Sequence, residues 1–547
     1  MTIKPQQICI HAPSGKQVLS VNTHEQSLRL SDLLRQKGLP LNIRCGEEGA
    51  CEGCQIELLQ GSLRTLHASN TVTAGSTPST MLACQHRLGP EPVTLQISPR
   101  SLAAYEPAVL NDFRINIPYS QNPLHETLNT SEPTIGAAID IGTTTVSLLL
   151  IDLSTGKILA NASTFNHQMY LGDDVITRIN LCRKNPTQIT QLQNAIVHDT
   201  LSPLLKQAAK EVNVRLRHIA CITVAANTTM LHLLVGKDPS QMGTVPFEPV
   251  FLEHLQLTLQ DVGLDQPFNP NATLHLLPSA AAYIGADLTA GVLVSGLCYE
   301  HGPSLLVDIG TNGEIILTHN GILYACATAA GPAFEGAGLT HGCRAGSGAI
   351  SHITLSNNPF NVTLDIIDNA PPTGICGSAY IDFLAQAARI GLLTPSGRFN
   401  LEHSPEAKAR LQPTELHGRS FELTTGIVIT EADIAKLLQA KAAIAAGILT
   451  LLDRCNVSPT EVDRLYLAGG FGMNVNNQHA ITCGLLPKMR VDQIELVGNS
   501  SLAGAFVALM DRHLLPEIAK ISQHMQTIEL NLDPDFENRY IDELMLA

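Results

Sequence analysis

The chain has 547 residues, of which 44% are apolar and only 15% are charged, so it is a globular protein and not an intrinsically disordered one. At roughly 100–200 residues per domain, this length predicts three or four domains with ample cores. The net charge of −15 argues against nucleic acid as the main partner, because a phosphate backbone requires clustered lysine and arginine.

The N-terminus, MTIKPQQICIHAP, lacks the apolar region of a signal peptide, and no long uncharged apolar stretch follows it. We therefore expect a soluble, cytoplasmic protein that is not bound to a membrane. Thirteen cysteines are too few in a chain of this length for a disulfide scaffold, and a reducing compartment would keep them as thiols.

Residues 1–97 are predicted to form the first domain. The segments QQICIHA and KQVLSVN indicate a hairpin, and SLRLSDLLRQKG indicates a helix that ends at Gly38.

Four cysteines of this domain follow the pattern C-x5-C-x2-C-x29-C: Cys45, Cys51, Cys54 and Cys84. Three thiolates from one glycine-rich loop and a fourth from a distance suit a [2Fe–2S] cluster. The alternative is zinc, but zinc ribbons usually pair one C-x2-C with a second, and only one is present here. Cys9 lies outside the motif and is expected in the core.

In this pattern the domain resembles the plant-type and adrenodoxin-type ferredoxins, and the resemblance implies a β-grasp (α+β) fold. The first cysteine gap is one residue longer than in the plant type, as in adrenodoxin-like members. Residues 98–134 follow, with several prolines and no sustained periodicity, which is the composition of a linker. Such a segment could be a tether that lets the ferredoxin domain move, or a connector that packs on the surface.

Two similar segments then mark two lobes, predicted at residues 135–302 and 303–547. AAIDIGTTTVS contains Asp140 and SLLVDIGTNGE contains Asp308, and in each an apolar strand runs into glycine and hydroxyl residues. A tight turn of this kind can offer N–H groups and hydroxyls to phosphate, while its aspartate can hold a hydrated Mg²⁺. Two facing turns would grip one nucleotide.

A third strand ends in a glycine turn within VDRLYLAGGFG, and a two-lobed nucleotide protein would place this turn against adenine and ribose. The glycine-rich segment from Gly331 to Ile350 suits a loop that approaches a ligand closely, or alternatively a hinge or interface loop. The segment from Glu431 predicts a long amphipathic helix with Thr430 as its N-cap. The chain has no G-x4-G-K-[ST] motif, so it contains no P-loop.

Residues 135–540 resemble the acetate and sugar kinase, Hsp70 and actin (ASKHA) superfamily through DIGTTT, VDIGTNGE and LAGGFG. The whole chain is similar to the reductive activators of corrinoid proteins, through the added cysteine domain and the segments NTTMLHLLVGKDP, GPAFEGAGLTHGCRAGSGAI and GICGSAYID. That resemblance implies an ATPase that takes an electron from a low-potential donor. It would pass the electron through its [2Fe–2S] cluster to an inactive Co(II) corrinoid protein, which returns to Co(I). A homodimer is a further expectation of the family.

The resemblance also implies site residues. Asp140 and Asp308 would hold Mg²⁺ through water, and Glu314 would orient a hydrolytic water, although a structural bond is an equal alternative for Glu314. Ala226 stands where a glycine is expected before Asn227, which leaves the contact at that turn open. The residues expected to contact ATP are Gly142, Thr143, Thr144, Thr145, Gly310, Thr311, Asn312, Gly313, Gly469, Gly470 and Gly472; those expected to bind the cluster are Cys45, Cys51, Cys54 and Cys84.

Three alternatives stay open. A metabolite kinase would share the two lobes but has no need of a ferredoxin domain. The radical-enzyme activators of 2-hydroxyacyl-CoA dehydratases share the kinase-like fold but bind a [4Fe–4S] cluster between subunits. A redox-sensing regulator would bind ATP without turnover.

Overall fold

The computed structural model describes the chain except for residues 1–5, 13–14, 23, 40, 42–48, 50–53, 67–70, 76–78, 98–100, 102–112, 126–132, 266, 415–417 and 547. The chain divides into two compact units. The first unit consists of Met1–Glu106 and His167–Leu181, and the second consists of Pro107–Asn166 and Cys182–Ala547.

The N-terminal part of the first unit is a mixed β-sheet with one helix. Its strands are β1 (Gln6–Ala12), β2 (Gly15–Val21), β3 (Gln55–Gln60), β4 (Ser62–Thr65), β5 (Thr71–Thr73), β6 (Ser79–Leu82), β7 (His86–Leu88) and β8 (Val93–Gln96), and its helix is α1 (Leu30–Gln36). The main sheet has the order β2-β1-β8-β3-β6, with β1 and β8 parallel in its centre. A hairpin whose first strand pairs in parallel with the last strand is the β-grasp arrangement predicted for this domain.

Buried and more exposed side chains alternate along β1, and the buried ones belong to the core of this domain. Ile8 and Ile10 are fully buried, and they pack with Leu30, Leu33 and Leu34 of α1. Side chains of a strand point to opposite faces in turn, so Cys9 lies on the other face and is only partly buried. The expectation that Cys9 belongs to the core is therefore wrong.

The first lobe of the second unit is built on a six-stranded sheet of order β11-β10-β9-β12-β14-β13. Its strands are β9 (Ile135–Ile141), β10 (Thr145–Asp152), β11 (Lys157–Phe165), β12 (Ile219–Ala226), β13 (Leu255–Thr258) and β14 (Thr273–Leu276). The helices of this part of the chain are α2 (Val175–Lys184), α3 (Thr187–Ile196), α4 (Ser202–Glu211), α5 (Thr228–Leu234) and α6 (Ala286–Ser295).

The second lobe has a six-stranded sheet of order β25-β24-β15-β16-β17-β26 and two three-stranded sheets. Its strands are β15 (Ser304–Ile309), β16 (Gly313–His319), β17 (Ile322–Thr328), β18 (Ala349–Asn357), β19 (Phe360–Ile366), β20 (Gly374–Ile375), β21 (Leu411–Pro413), β22 (Arg419–Thr424), β23 (Ile427–Thr430), β24 (Arg464–Ala468), β25 (Ile494–Gly498) and β26 (Gln526–Thr527). Its helices are α7 (Gly377–Arg389), α8 (Pro405–Ala409), α9 (Glu431–Arg454), α10 (Gly469–Gly472), α11 (Asn477–Thr482), α12 (Ser500–Met510), α13 (Leu514–His524) and α14 (Phe536–Asp542).

The two lobes repeat one topology. In each, three antiparallel strands form a meander, and the first strand of the meander pairs in parallel with a later strand: β9 with β12, and β15 with β24. The carboxyl ends of those parallel strands lie at one edge of each sheet. The predicted two-lobed ASKHA fold is confirmed.

Helices α6 and α12 join the lobes by crossing at close range. A Cβ atom added to Gly504 of α12 would lie 2.3 Å from the Cβ of Ala290 in α6, so glycine is required at that crossing. Helix α12 also packs on β9 and β12, where Thr223 donates a hydrogen bond to the carbonyl of Ala505 at 2.8 Å. Helix α12, which follows β25 of the second lobe, therefore covers the sheet of the first lobe.

The segment before the first lobe is attached to the second unit where the structure describes it. The backbone N–H of Arg114 donates to Val497 at 3.0 Å, and that of Asn122 donates to Met510 at 2.9 Å. Ser120 donates from both its N–H and its hydroxyl to Asp511, each at 2.7 Å. Of the two interpretations of this segment, these contacts favour the packed connector for residues 113–124.

Helix α9 is the central helix of the second lobe. Thr430 caps it as predicted, in a capping box with Asp433. Within the described residues, α9 is the one helix with the length and apolar composition to cross a membrane. Because most of its residues lie in the core of the lobe, these properties belong to a buried helix.

Lys441 of α9 is only 1% exposed. Its ammonium group donates to the carbonyls of Glu543 at 2.6 Å and Met545 at 2.7 Å, and it lies 3.5 Å from the Glu543 carboxylate. The next residue, Leu546, is buried and bonds through its N–H to Pro395. The end of the chain thus forms part of the second lobe.

We expect Lys441→Met to destabilise the second lobe by about 1–3 kcal/mol, because two part-buried carbonyls lose their charged donor. The measurement is urea unfolding together with limited proteolysis, in which the residues after Asp542 become cleavable. Lys520→Met is the matched control, since Lys520 is exposed and pairs with Glu517 on the surface. Equal stability of the two variants would contradict the assignment.

Candidate functional site

Two tight turns lie at the ends of equivalent strands, as predicted. Asp140 is near the end of β9 and Asp308 near the end of β15. The first turn closes through a hydrogen bond from Gly142 N–H to Thr145 at 2.9 Å, and the second through Gly310 N–H to Asn312 at 3.0 Å. We call them the first and second phosphate turns, residues 142–145 and 310–313.

Asp140 is held by the N-terminus of α12. The Asn499 side-chain amide donates to Oδ2 of Asp140 at 2.9 Å, and the Ser501 hydroxyl donates to Oδ1 at 2.7 Å. Asn499 also caps α12 by accepting the N–H of Leu502. Neither partner was predicted, because both lie far along the chain in the segment ELVGNSSLAG.

Four carboxyl groups influence one another in this region: Asp140, Asp287, Asp308 and Glu314. Burial raises the pKa of all four. For Asp287 and Asp308 the pKa rises to about 7, and the neighbouring carboxylates add to the burial effect. In the described part of the chain, no lysine or arginine contributes to any of these shifts, so these carboxyl groups have no cationic partner there.

Asp287 was not predicted. It lies in the first turn of α6, after Gly285, in the segment YIGAD. The signal available in the sequence was an aspartate next to Gly285 and Ala286 at the start of a helix, whereas Asp140 and Asp308 lie near the ends of strands.

These carboxyl groups fit a hydrated cation better than a directly bound one. Among the described residues, no three or more His, Cys, Asp or Glu side chains are arranged to hold a metal ion. Mg²⁺ usually keeps several of its waters and takes only one or two carboxylates. A buried site with uncompensated acidic groups is therefore suited to Mg²⁺ bound through water.

Asn227 contacts the first phosphate turn despite Ala226 before it. Its amide donates to the Thr143 hydroxyl at 3.2 Å, and its carbonyl oxygen caps α5 by accepting the N–H of Met230. The backbone at Asn227 passes close to Gly285. A Cβ at position 285 would lie 2.4 Å from the Asn227 Cα, so glycine is required there.

The second phosphate turn is tied to the glycine-rich loop, residues 331–350. The Thr311 hydroxyl donates to Oε1 of Glu335 at 2.6 Å, and Arg344 donates to Oε2 of the same carboxylate at 3.0 Å. The guanidinium of Arg344 lies 5.0 Å from the ring centre of Phe165, in the first lobe. Neither Glu335 nor Arg344 was predicted as a site residue.

The predicted adenosine turn lies beside Asp308. Gly469 has a φ of +85°, and a Cβ there would lie 2.6 Å from Oδ1 of Asp308. Gly472 packs against Leu467, whereas a Cβ on Gly470 would meet open space. Gly470 is thus the residue of this turn whose backbone faces a free volume.

Two of the four predicted cluster cysteines are described, and both are buried in the core of the first unit. Cys54 and Cys84 are 1% and 0% exposed, and the N–H of Ala83 bonds to the carbonyl of Cys54 at 3.1 Å. The Gln85 amide donates to the Cys84 sulfur at 3.4 Å. Cys45 and Cys51 lie outside the described residues. The fold thus brings together two cysteines that 29 residues separate in the sequence.

Asp308 makes the stability of the metal-free protein depend on pH. Its pKa rises from 3.8 to about 7 on folding, so the folded state holds a proton that the unfolded state releases between these values. Stability is therefore lost as the pH rises through this window. Asp308→Asn cannot ionise, so we expect its stability relative to the wild type to rise by about 1–3 kcal/mol from pH 5 to pH 8.

The measurement is urea unfolding in EDTA at both pH values. Asp492→Asn is the control, because Asp492 is exposed, pairs with Arg490 and has a lowered pKa. A relative stability of Asp308→Asn that does not change between pH 5 and pH 8 would show that this carboxyl does not carry the raised pKa.

Known proteins resemble the chain over most of its length. A solved structure of a reductive activator for corrinoid, iron-sulfur protein matches 99% of this chain and 98% of its own, with a TM-score of 0.70 and 29% identity. The corrinoid activation enzyme RamQ of Eubacterium limosum is 29% identical over 588 aligned positions, which cover 96% of this chain and 97% of that protein. A [Co(II) methylated amine-specific corrinoid protein] reductase of Methanosarcina barkeri is 24% identical over 75% of this chain and 76% of its own.

Two family models match the second unit and join almost without a gap. Residues 135–300 match the RACo middle region, and residues 302–547 match the C-terminal domain of RACo, the ASKHA domain. The repeated strand topology and the paired phosphate turns agree with that assignment. Together the two matches cover residues 135–547, and this part of the chain belongs to the RACo family.

Proposed function

We propose that this protein reactivates a corrinoid protein whose cobalt has been oxidised to Co(II). One electron passes from a low-potential donor through the N-terminal unit to the cobalt, which becomes Co(I). ATP hydrolysis to ADP and phosphate in the second unit drives the transfer. We place the reaction in the cytoplasm, with neither nucleic acid nor a membrane as a partner.

One observation carries the proposal. A single solved reductive activator matches both the cysteine-bearing unit and the two-lobed ASKHA unit, over 99% of this chain. A metabolite kinase needs only the second of these parts. The combination in one chain is what an electron carrier coupled to nucleotide turnover requires.

We assign the cluster to Cys45, Cys51, Cys54 and Cys84. The burial of Cys54 and Cys84 in one core, with backbone and amide donors near them, fits thiolates whose charge must be shared with a cluster. A [2Fe–2S] cluster, when bound, accepts and releases one electron at a time.

An ASKHA domain implies ATP and Mg²⁺, and the site fits both. We assign Asp140 and Asp308 to the waters of Mg²⁺, because they end the two equivalent strands and lack cationic neighbours among the described residues. The phosphate contacts are assigned to the two phosphate turns: Gly142, Thr143, Thr144, Thr145, Gly310, Thr311, Asn312 and Gly313. Adenosine is assigned to the third turn, where Gly470 offers open space while Gly469 and Gly472 allow close packing behind it.

Glu314 is assigned to orient the hydrolytic water. Burial and the charges of Asp287 and Asp308 raise its pKa well above the ordinary value. A divalent cation nearby would oppose those negative charges and favour the carboxylate. As a carboxylate, Glu314 can accept a proton from the attacking water.

We expect Cys54→Ala to abolish the reduced [2Fe–2S] signal in electron paramagnetic resonance after anaerobic reconstitution, because the cluster loses a thiolate ligand. Cys9→Ala is the matched control, since Cys9 is a partly buried cysteine of the same unit outside the motif. The same loss of signal in both variants, or in neither, would contradict the ligand assignment.

A second experiment tests the coupling to ATP. Reduced protein is mixed anaerobically with corrinoid proteins held as Co(II), and Co(I) is followed by absorbance with and without Mg-ATP. We expect Co(I) only with Mg-ATP, and a loss of at least about a hundredfold in rate for Asp140→Asn, because charge at the developing phosphate is no longer balanced. ATP consumption with transfer to a small metabolite would instead identify a kinase, and ATP binding without turnover would identify a regulator.

A further inference from the structure

Arg344 is the basic residue that the described structure connects to both phosphate turns. Toward the second turn the connection runs through Glu335, whose two oxygens accept from Arg344 at 3.0 Å and from Thr311 at 2.6 Å. The guanidinium is therefore one carboxylate away from the hydroxyl that is expected to contact phosphate.

Toward the first turn the connection runs through Phe165. The Arg344 guanidinium lies 5.0 Å from its ring centre. The next residue, Asn166, donates its amide to the carbonyl of Gly142 at 3.0 Å and its N–H to that of Thr144 at 2.8 Å. The ring is thus anchored beside the first turn, and Arg344 spans from one lobe to the other.

The two contacts of Arg344 differ from those of a core ion pair. The side chains of Arg344 and Glu335 are 30% and 21% exposed, and a cation over a ring face has little directional demand. The backbone is firmly placed, because Cys343 N–H bonds to Ile375 at 2.9 Å and Gly342 forms a bridge to the same residue. Because this backbone is fixed, the long side chain of Arg344 can change its partners while the loop stays in place.

The charge of the site supplies a reason for that exchange. The site contains four carboxyl groups, and no arginine or lysine among the described residues acts on them. A nucleoside triphosphate would bring further negative charge, of which the terminal phosphate carries the largest part. A guanidinium is well suited to such a group, because its planar fork matches phosphate oxygens.

Resting on the proposed nucleotide site, we infer that Arg344 contacts the terminal phosphate of bound ATP. In the nucleotide-free protein, Glu335 and Phe165 hold the guanidinium near the two turns. On ATP binding the guanidinium leaves the Glu335 carboxylate and binds the phosphate. Its contact with Phe165 of the first lobe then depends on which nucleotide is bound. Arg344 would distinguish ATP from ADP.

The test is the affinity of the full-length protein for Mg-ATP and Mg-ADP, measured by isothermal titration calorimetry. We expect Arg344→Ala to weaken Mg-ATP binding by at least about tenfold, the effect of losing a charged hydrogen bond, and Mg-ADP binding by less than about twofold. Arg344→Lys keeps the charge and should fall between. Arg398→Ala is the matched control, because Arg398 makes an equivalent ion pair with Glu431 at 3.0 Å outside the contact network of the two turns.

Glu335→Gln separates this role from a structural one. Glutamine still accepts from Thr311 but holds Arg344 less tightly, so the inference predicts Mg-ATP binding at least as tight as in the wild type. A structural clamp predicts weaker binding of both nucleotides in Arg344→Ala and Glu335→Gln alike, and that result would overturn the inference. Unchanged affinities in Arg344→Ala would overturn it as well. A wild-type protein that binds no nucleotide would instead refute the proposed function.

Discussion

The second unit depends on the hydrogen bonds between the N-terminus of α12 and the carboxylate of Asp140. Asn499 and Ser501 donate to both oxygens of this carboxylate, and Asn499 also starts the helix. The same helix crosses α6 at Gly504 and covers the first-lobe sheet. The first phosphate turn is therefore fixed by residues that follow the last long strand of the second lobe. A change in the packing between the two lobes therefore acts on Asp140. In this way the chemistry at the nucleotide is coupled to the arrangement of the lobes.

Electrostatic strain is concentrated at the same place. A protein can bury acidic groups without cations only when they take up protons or receive a metal ion. Asp287 and Asp308 have pKa values near neutrality, so the empty site and the loaded site differ in protonation as well as in occupancy. Binding of a cation would release protons, and the site would bind more weakly as the solution becomes more acidic.

Features set by local sequence were predictable, and those set by chain crossings were not. The strands before Asp140 and Asp308, the glycine turns and the Thr430 cap follow from residues that are close in sequence. The four-cysteine spacing indicated a cluster, although Cys45 and Cys51 lie outside the described residues. Asn499 and Ser501 reach Asp140 across about 360 residues, and Arg344 reaches Phe165 across the two lobes. No periodicity or spacing in the sequence predicts such contacts, because they form only when the folded lobes pack against each other.

The position of Lys441 has a consequence for how the protein is made. Its ammonium group is satisfied by carbonyls of Glu543 and Met545, about a hundred residues further along the chain. During synthesis α9 leaves the ribosome long before these acceptors exist, and a buried unpaired cation is costly. The second lobe therefore reaches its final core only after Glu543 and Met545 have been translated. Until then a nascent chain would carry a hydrated Lys441 and an incomplete apolar face, because Leu546 is not yet in the core.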